Sequence, residues 1–334
     1  MKQYCTIPIF IPESACPFRC VYCNQYHIAN LSQPISPQES REIIEKYLQT
    51  IHSHQIKTIA FFGGSFTGLA IDNQNQYLDI ALEYKKAKKI DRIQLSTRPD
   101  YISKAILDNL KQHQVDIIEL GAQSLDEQVL KNVHRGHTVQ DVVQAAELIN
   151  EYQFELGLQM MIGLPGDTLQ KSIQTAKQIV ELKAKNTRIY PTLVIKDTAL
   201  EQMYKENKYT PLSITEAVDW SAYIYKIFIE NNVKVLRLGL HPSEGLMSGK
   251  NLIAGPFHVS FKELVYSEIW KRKIIKSIDK NLSKTICISV HSSQINFAIG
   301  YGKSNKKFLA SYFNDIKFLI DNNLKEEEFK ITYI

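Results

Sequence analysis

Long apolar runs are missing from this 334-residue chain. No stretch approaches the roughly eighteen consecutive apolar residues of a spanning helix, so no membrane partner is expected. The apolar stretch from Tyr4 to Ile11 contains Pro8 and runs directly into Pro12 and Glu13, which is unlike a signal peptide. A cytoplasmic location is therefore expected. Net charge is only +5 and 44% of residues are hydrophobic, so the low-hydropathy, high-charge signature of disorder is absent. Cysteine is scarce, with residues only at 5, 16, 20, 23 and 287. An odd count with three of them crowded together makes a poor disulfide framework and points to metal or redox chemistry. Tandem repeats and low-complexity tracts are missing too. What remains is a chain long enough to bury a full core without staples.

From residue 5 to about 238, short β-rich runs alternate with amphipathic helical stretches. The spacing predicts strands at Thr6–Ile11, Thr58–Phe62, Arg92–Ser96, Val115–Gly121, Glu155–Ile162, Arg188–Leu193 and Val233–Leu238. Several are nearly continuous apolar runs, as in parallel strands covered on both faces. Helix starts are legible between them: Ser36-Pro37-Gln38-Glu39 and Thr138-Val139-Gln140-Asp141 combine a capping hydroxyl with a reciprocal acid. Repeated strand–helix units imply an α/β fold with a parallel sheet, and this many imply a full or partial barrel. The rhythm breaks after about residue 240. The expected division is 1–240 for the barrel and 241–334 for a basic α+β extension ending in a helix–turn–helix-like tail. Residues 250–334 carry 14 Lys+Arg against 8 Asp+Glu, while the rest of the chain is nearly neutral. Such a surplus suits a solvated surface or a polyanion.

Cys16-Pro17-Phe18-Arg19-Cys20-Val21-Tyr22-Cys23 follows the first strand, at the carboxyl end of a parallel barrel where active sites sit. Thiolates this close converge on one small object. A four-iron cluster held by Cys16, Cys20 and Cys23 keeps one iron open to a small molecule. A structural zinc site takes four ligands, and Cys5 or His27 would supply the fourth.

This cysteine run, with Tyr22 before its last member, resembles the signature of the radical S-adenosylmethionine (SAM) superfamily. Further segments carry the resemblance along residues 5–210: Phe61-Phe62-Gly63-Gly64-Ser65-Phe66-Thr67-Gly68, Ser96-Thr97-Arg98-Pro99-Asp100, Gly121-Ala122-Gln123-Ser124 with Arg135-Gly136-His137, and Gln159-Met160-Met161-Ile162-Gly163-Leu164-Pro165-Gly166-Asp167-Thr168. They fall in order at successive predicted strand ends. Together they look like the subgroup of the Elongator catalytic subunit and oxygen-independent coproporphyrinogen oxidase.

The resemblance implies a partial (β/α)6 TIM-like barrel, a [4Fe–4S] cluster on Cys16, Cys20 and Cys23, and SAM as second cofactor. It implies that Gly63 and Gly64 hold the methionine amino group through a tight turn that also contains Ser65, where many relatives carry Glu, and Thr67. Gln123 and Gln159 would meet ribose hydroxyls, and Arg135 would meet a carboxylate. Gly163, Leu164 and Pro165 would lie beside adenine, with Ser96 and Arg98 as further SAM contacts. It also implies reductive cleavage of SAM to a 5′-deoxyadenosyl radical that takes hydrogen from a substrate, with a ferredoxin- or flavodoxin-type reductase as electron donor.

Tetrapyrrole-type relatives carry a Tyr-x-His element ahead of the cluster; this chain has Ile9-Phe10-Ile11-Pro12-Glu13-Ser14-Ala15 there. Elongator-type relatives share more of Tyr190-Pro191-Thr192-Leu193-Val194-Ile195-Lys196, Thr198 and Leu200. No glycine-rich acetyl-CoA loop is visible, so acetyl-CoA chemistry is not expected. Near the end, Ile295 to Ile299, Gly300-Tyr301-Gly302-Lys303 and the following helical stretch resemble the centre of a KH-type RNA-binding module, with Lys303 where the second loop glycine would stand. Lys303, Lys306 and Lys307 are thus candidate contacts for a structured RNA. Asn24, Tyr26, His27, His241, Glu244 and His258 are candidate groups near the site, and Cys287 reads as a buried thiol. A coproporphyrinogen-like oxidase and a zinc-containing RNA-binding protein are the alternative readings.

Overall fold

A computed structural model of the chain describes residues 4–11, 20–24, 27, 35–52, 55–279, 282 and 285–334. Two compact units are formed, Met1–Ser213 with Ile224–Phe257 and Ile214–Tyr223 with His258–Ile334. In the first, strands β1 (Tyr4–Ile11), β2 (Ile56–Gly63), β3 (Arg92–Thr97), β4 (Ile117–Gln123), β5 (Glu155–Ile162) and β6 (Asn186–Pro191) follow in chain order. The short β7 (Val194–Ile195), then β8 (Lys234–Leu238) and the short β9 (Leu252–Ala254), complete them. The helices are α1 (Pro37–Leu48), α2 (Ile71–Lys86), α3 (Lys104–Gln112), α4 (Glu127–Asn132), α5 (Val139–Glu151), α6 (Leu169–Glu181), α7 (Ala199–Lys205), α8 (Ile214–Glu230), whose amino-terminal part belongs to the second unit, and α9 (Glu244–Met247).

One seven-stranded sheet in the order β1-β2-β3-β4-β5-β6-β8 is parallel throughout. Strand alternation sorts its side chains between two faces. Ile59, Ile93, Leu95, Ile118, Leu120, Leu156, Leu158 and Ile189 are fully buried. Each such side chain contributes about 1.5–3 kcal/mol by leaving water. The other face carries Phe62, Ser96, Glu119, Gly121, Gln159 and Arg188. The sheet curls about this face: the Arg188 guanidinium on β6 lies 5.0 Å from the ring centre of Phe62 on β2. At the far end the Lys234 ammonium on β8 sits 3.9 Å over the Tyr4 ring of β1. The expected partial barrel is therefore present, with seven strands.

The predicted helix starts are realised locally. Ser36 accepts from the Glu39 N–H at 3.2 Å while Glu39 accepts from the Ser36 N–H at 2.7 Å. Thr138 and Asp141 repeat the arrangement. Residues 241–257 are folded with the barrel unit, where β9 pairs antiparallel with β7. Among the described residues no helix is long and apolar enough to cross a membrane.

The second unit contains α10 (Phe261–Ser277), β10 (Thr285–Val290), α11 (Ile295–Ile299), α12 (Ser304–Leu309), β11 (Asp315–Ile320) and β12 (Phe329–Tyr333). Its sheet runs β11-β10-β12, with β11 parallel and β12 antiparallel to β10. Trp270, Ile274, Ile286, Ile288, Val290, Leu309, Phe313 and Ile316 form its core. The helix–turn–helix-like ending is corrected: two strands close the chain. Ile316 and Phe318 alternate with Asp315 and Lys317, a period of two that fits a strand.

Candidate active site

Gly121, Ala122 and Gln123 end β4, and a register shift between Gly121 and Gln123 breaks the ladder with β5. Gln123 takes φ +67°, an uncommon left-handed conformation for a side-chain-bearing residue. That bulge turns its carboxamide toward Gln159 on β5. The two amides pair reciprocally, Gln123 Nε2 to Gln159 Oε1 at 2.9 Å and Gln159 Nε2 to Gln123 Oε1 at 2.8 Å. Pairing uses one N–H of each amide and leaves each a second N–H and a second acceptor position.

Arg135 reaches the same place from the loop after α4. Its Nη2 donates to the Gly121 carbonyl at 2.9 Å and its Nη1 to Cys20 Sγ at 3.4 Å. Metal-binding sulfur is the thiolate, and a buried guanidinium N–H is a donor suited to it. Gly121 makes the convergence possible. A Cβ there would stand 2.8 Å from Gln123 Nε2 and 3.1 Å from Arg135 Nη2.

Cys20 is buried and Cys23 half-buried, joined in one turn by the Cys23 N–H donating to the Cys20 carbonyl at 3.0 Å. Val21 between them is pinned from both sides. Its N–H donates to the Val133 carbonyl at 3.1 Å, and its carbonyl accepts from the Leu200 N–H at 2.7 Å. Tyr22 belongs to one buried cluster with Val129, Val133, Leu164 and Tyr209. Cys16 and Tyr26 lie outside the described residues.

The glycine turn after β2 is tied to β1, whose end leads into the cysteine run. The Gly64 N–H donates to the Ile11 carbonyl at 2.8 Å, and Gly63 takes φ +111°. Beyond it, Ser65 Oγ and Thr67 Oγ1 both bond Thr97 Oγ1, at 2.8 and 2.6 Å. Ser65 Oγ also accepts from the Arg98 N–H at 3.2 Å. These hydroxyls therefore join the turn to the end of β3.

The turn after β5 is equally constrained. Asp167 accepts from the Gly163 N–H at 2.8 Å, Ser172 Oγ at 2.7 Å and the Thr168 N–H at 2.8 Å. Burial nonetheless holds its carboxyl above the usual range. Tyr209 donates to the Gly163 carbonyl at 2.6 Å, and Asn132 Nδ2 to that of Pro165 at 3.1 Å. Gly163-Leu164-Pro165-Gly166 thus presents a fixed backbone beside the paired amides' strand ends.

Residues 11–179 match the model of the radical SAM superfamily, and residues 184–271 match the radical SAM C-terminal domain. The chain belongs to the radical SAM superfamily. It is 29% identical over 230 residues to a tRNA uridine(34) acetyltransferase of Dehalococcoides mccartyi, covering 59% of this chain and 50% of that one. It is 28% identical over 207 residues to Elongator complex protein 3 of Saccharomyces cerevisiae, covering 56% of this chain and 37% of the relative. The chain thus spans half or less of these two relatives. In fold it is similar to the archaeal Methanocaldococcus infernus Elp3, with TM-score 0.66 and 21% identity over 82% of this chain and 64% of that chain.

The cofactors of this radical SAM enzyme are accordingly a [4Fe–4S] cluster and SAM. The residues present fit both. A buried sulfur faces a guanidinium, glycine backbone opens at two strand ends, and paired amides keep donors and acceptors in reserve for hydroxyl groups. Zinc is less well served. Cys5 lies at the amino end of β1, about 20 Å along the strand from Ile11, and His27 Nε2 is 3.2 Å from Asp197 Oδ2.

Gly63 and Gln123 are the last residues of their strands, Gln159 lies in the second half of β5, Gly64, Gly163, Leu164 and Pro165 lie in the turns that follow β2 and β5, and Arg135 lies in the loop after α4. Ser65 and Thr67 are engaged with Thr97. Arg98 forms a fork on Asp100, Nε to Oδ1 at 2.9 Å and Nη2 to Oδ2 at 2.8 Å. Ser96 Oγ donates deeper in the barrel to Glu119 Oε1 at 3.0 Å, and Arg188 Nε donates to Glu119 Oε2 at 2.6 Å. Neither Glu119 nor Arg188 is among the sequence candidates; Glu119, a lone charge between Ile118 and Leu120, is a readable signal, whereas Arg188 follows the polar Asn186 and Thr187 and carries none. His241 Nδ1 lies 3.0 Å from Arg237 Nη2. Glu244 opens α9. His258 belongs to the second unit, edge-on to Tyr301 at 5.3 Å.

His137 adds a pH dependence. Its Nε2 lies 3.3 Å from the Ala122 carbonyl. Burial, with the Arg135 and Arg98 charges, pushes the imidazole down to about 3. Between its ordinary value of about 6.5 and about 3, the unfolded chain takes up a proton that the folded chain refuses. Stability therefore falls as pH drops through that window, by about 2 kcal/mol at pH 5. His137→Asn removes this titration, so its Tm should fall less than wild type between about pH 7 and 5. Parallel Tm curves for the two proteins would disprove the assignment.

Proposed function

We propose that Cys16, Cys20 and Cys23 hold the cluster, that Gly63, Gly64, Gln123, Arg135, Gln159 and the Gly163–Pro165 turn hold SAM, and that the substrate is an RNA of the tRNA class. The observation that carries the site is the meeting of Cys20, Arg135, Gln123 and Gln159 around Gly121. When bound, the cluster supplies an electron that splits SAM into methionine and a 5′-deoxyadenosyl radical, which takes hydrogen from the substrate. The chain's own residues orient the nucleoside: amides for ribose hydroxyls, the Arg135 fork for a carboxylate, and a fixed glycine backbone beside the base. Val21, Tyr22, Leu164 and Tyr209 share an apolar cluster with Cys20 and Cys23, which keeps water from a radical. The RNA reading rests on the names of the tRNA-modifying relatives and on the basic surplus of residues 250–334. A ferredoxin- or flavodoxin-type donor and a cytoplasmic location accompany it.

Anaerobically reconstituted protein should contain about four irons and four sulfides per chain and form 5′-deoxyadenosine from SAM only with dithionite present. Colourless, iron-free protein after reconstitution would end this reading of the site. Co-purifying RNA should be enriched in tRNA, and its nucleosides should differ between wild-type and deletion strains. Identical nucleosides would end the RNA reading while leaving the site intact.

A further inference from the structure

Within the second unit, β10, α11, α12 and β11 form a βααβ succession with the two strands parallel. The helices are joined by Gly300-Tyr301-Gly302-Lys303. Gly300, Gly302 and Lys303 all have left-handed φ, +87°, +57° and +62°. For lysine this conformation costs about 1 kcal/mol or more, and Lys303 is exposed, so no packing offsets the cost.

The turn is held from beneath. The Tyr301 N–H donates to Ser267 Oγ at 2.8 Å. The buried Asn305 Nδ2 donates to the carbonyls of Ser267, Ala298 and Phe297 at 2.9, 3.2 and 3.3 Å. Gly300 has no room for a side chain, its Cβ position lying against Ser304 Oγ and 2.7 Å from the Asn305 nitrogen. Gly302 is the opposite: a Cβ there meets nothing within 4 Å. The backbone at Gly302 therefore lies open, in a turn that anchors hold in shape. Around it are the exposed ring of Tyr301 and the exposed Lys303, Lys306 and Lys307. No ion pair engages these lysines among the described residues.

We propose that this turn, with Tyr301, Lys303, Lys306 and Lys307, binds the phosphodiester backbone of single-stranded RNA. Bare glycine backbone admits phosphate to within hydrogen-bond distance, lysines neutralise it, and an exposed aromatic ring offers a stacking face. The inference rests on the RNA-substrate reading above and names the surface that holds the RNA.

The test uses the full reconstituted chain and a labelled single-stranded RNA of about 12 nucleotides, with the matching RNA duplex and single-stranded DNA as further probes. Gly302→Asp places a carboxylate in open space at a backbone conformation that Asp tolerates. Lys303→Gly/Lys306→Gln/Lys307→Gln removes the charges. Single-strand affinity, read by fluorescence anisotropy, should fall about tenfold or more in each variant, and the triple variant should show a shallower salt dependence. Uncoupled 5′-deoxyadenosine formation should match wild type, which shows the variants folded. Wild-type affinity in both variants, no RNA binding by wild type, or equal affinity for duplex would overturn the proposal. Single-stranded DNA bound as tightly as RNA would overturn its RNA specificity. Loss of binding in the variants, with unchanged nucleosides in the deletion strain, would uphold the turn and defeat the RNA-substrate reading instead.

Discussion

Gly121→Ala protein is expected to keep its iron and bind SAM about thirtyfold more weakly, a loss of about 2 kcal/mol. The new methyl would lie 2.8 Å from Gln123 Nε2 and 3.1 Å from Arg135 Nη2. Both are tips of flexible side chains, so the fold can accommodate it by moving them. Movement breaks the two bonds of the reciprocal amide pair, at about 1 kcal/mol each, and shifts the guanidinium. The cost thus falls on the site more than on stability. Calorimetric titration of the reconstituted protein with SAM under nitrogen gives the affinity, and iron analysis of the same sample gives the loading. An unchanged Kd would remove Gln123, Arg135 and Gln159 from the SAM site.

The same substitution at Gly63 should act differently. Gly63→Ala is expected to destabilise the fold by roughly 3 kcal/mol and lower Tm by several degrees. Here a Cβ would stand 2.8 Å from the Ile11 carbonyl oxygen. That oxygen is backbone, held in the β1–β2 ladder and bonded to the Gly64 N–H, so it cannot swing aside. The left-handed φ of +111° adds a penalty of its own for any side chain. The end of β1 leads directly into the cysteine run, so iron loading should fall together with Tm. A Tm within a degree of wild type would show that the turn relaxes and that glycine is not required there.

Much of this site follows from local pattern. Crowded cysteines after a strand and a glycine pair after the next depend on short spacing, which the chain's covalent geometry preserves in the fold. The glycine-turn-glycine near the end is legible for the same reason. Gln123 with Arg135 twelve positions on is legible only through the family resemblance. Other features were not. Thr97 receives Ser65 and Thr67 from the turn after β2, and nothing in the run Arg92–Thr97 announces it. The left-handed Gln123 is a bulge, and bulges depend on what the neighbouring strand demands. β12 was missed because Phe329–Tyr333 is short and follows three consecutive glutamates. Those charges hide a strand whose register is set by β10.

By itself, the order of residues determined the α/β class, the parallel strands, the helix starts and the cysteine run, because each depends on neighbours within a few positions. Only the tertiary structure decided which side chains meet. The curl of the sheet brings Arg188 to Glu119 and over Phe62. The return of the chain brings Arg135 to Cys20, separated by 115 residues. Such pairs depend on how strands twist and close on one another, a property of the whole sheet that no short segment contains.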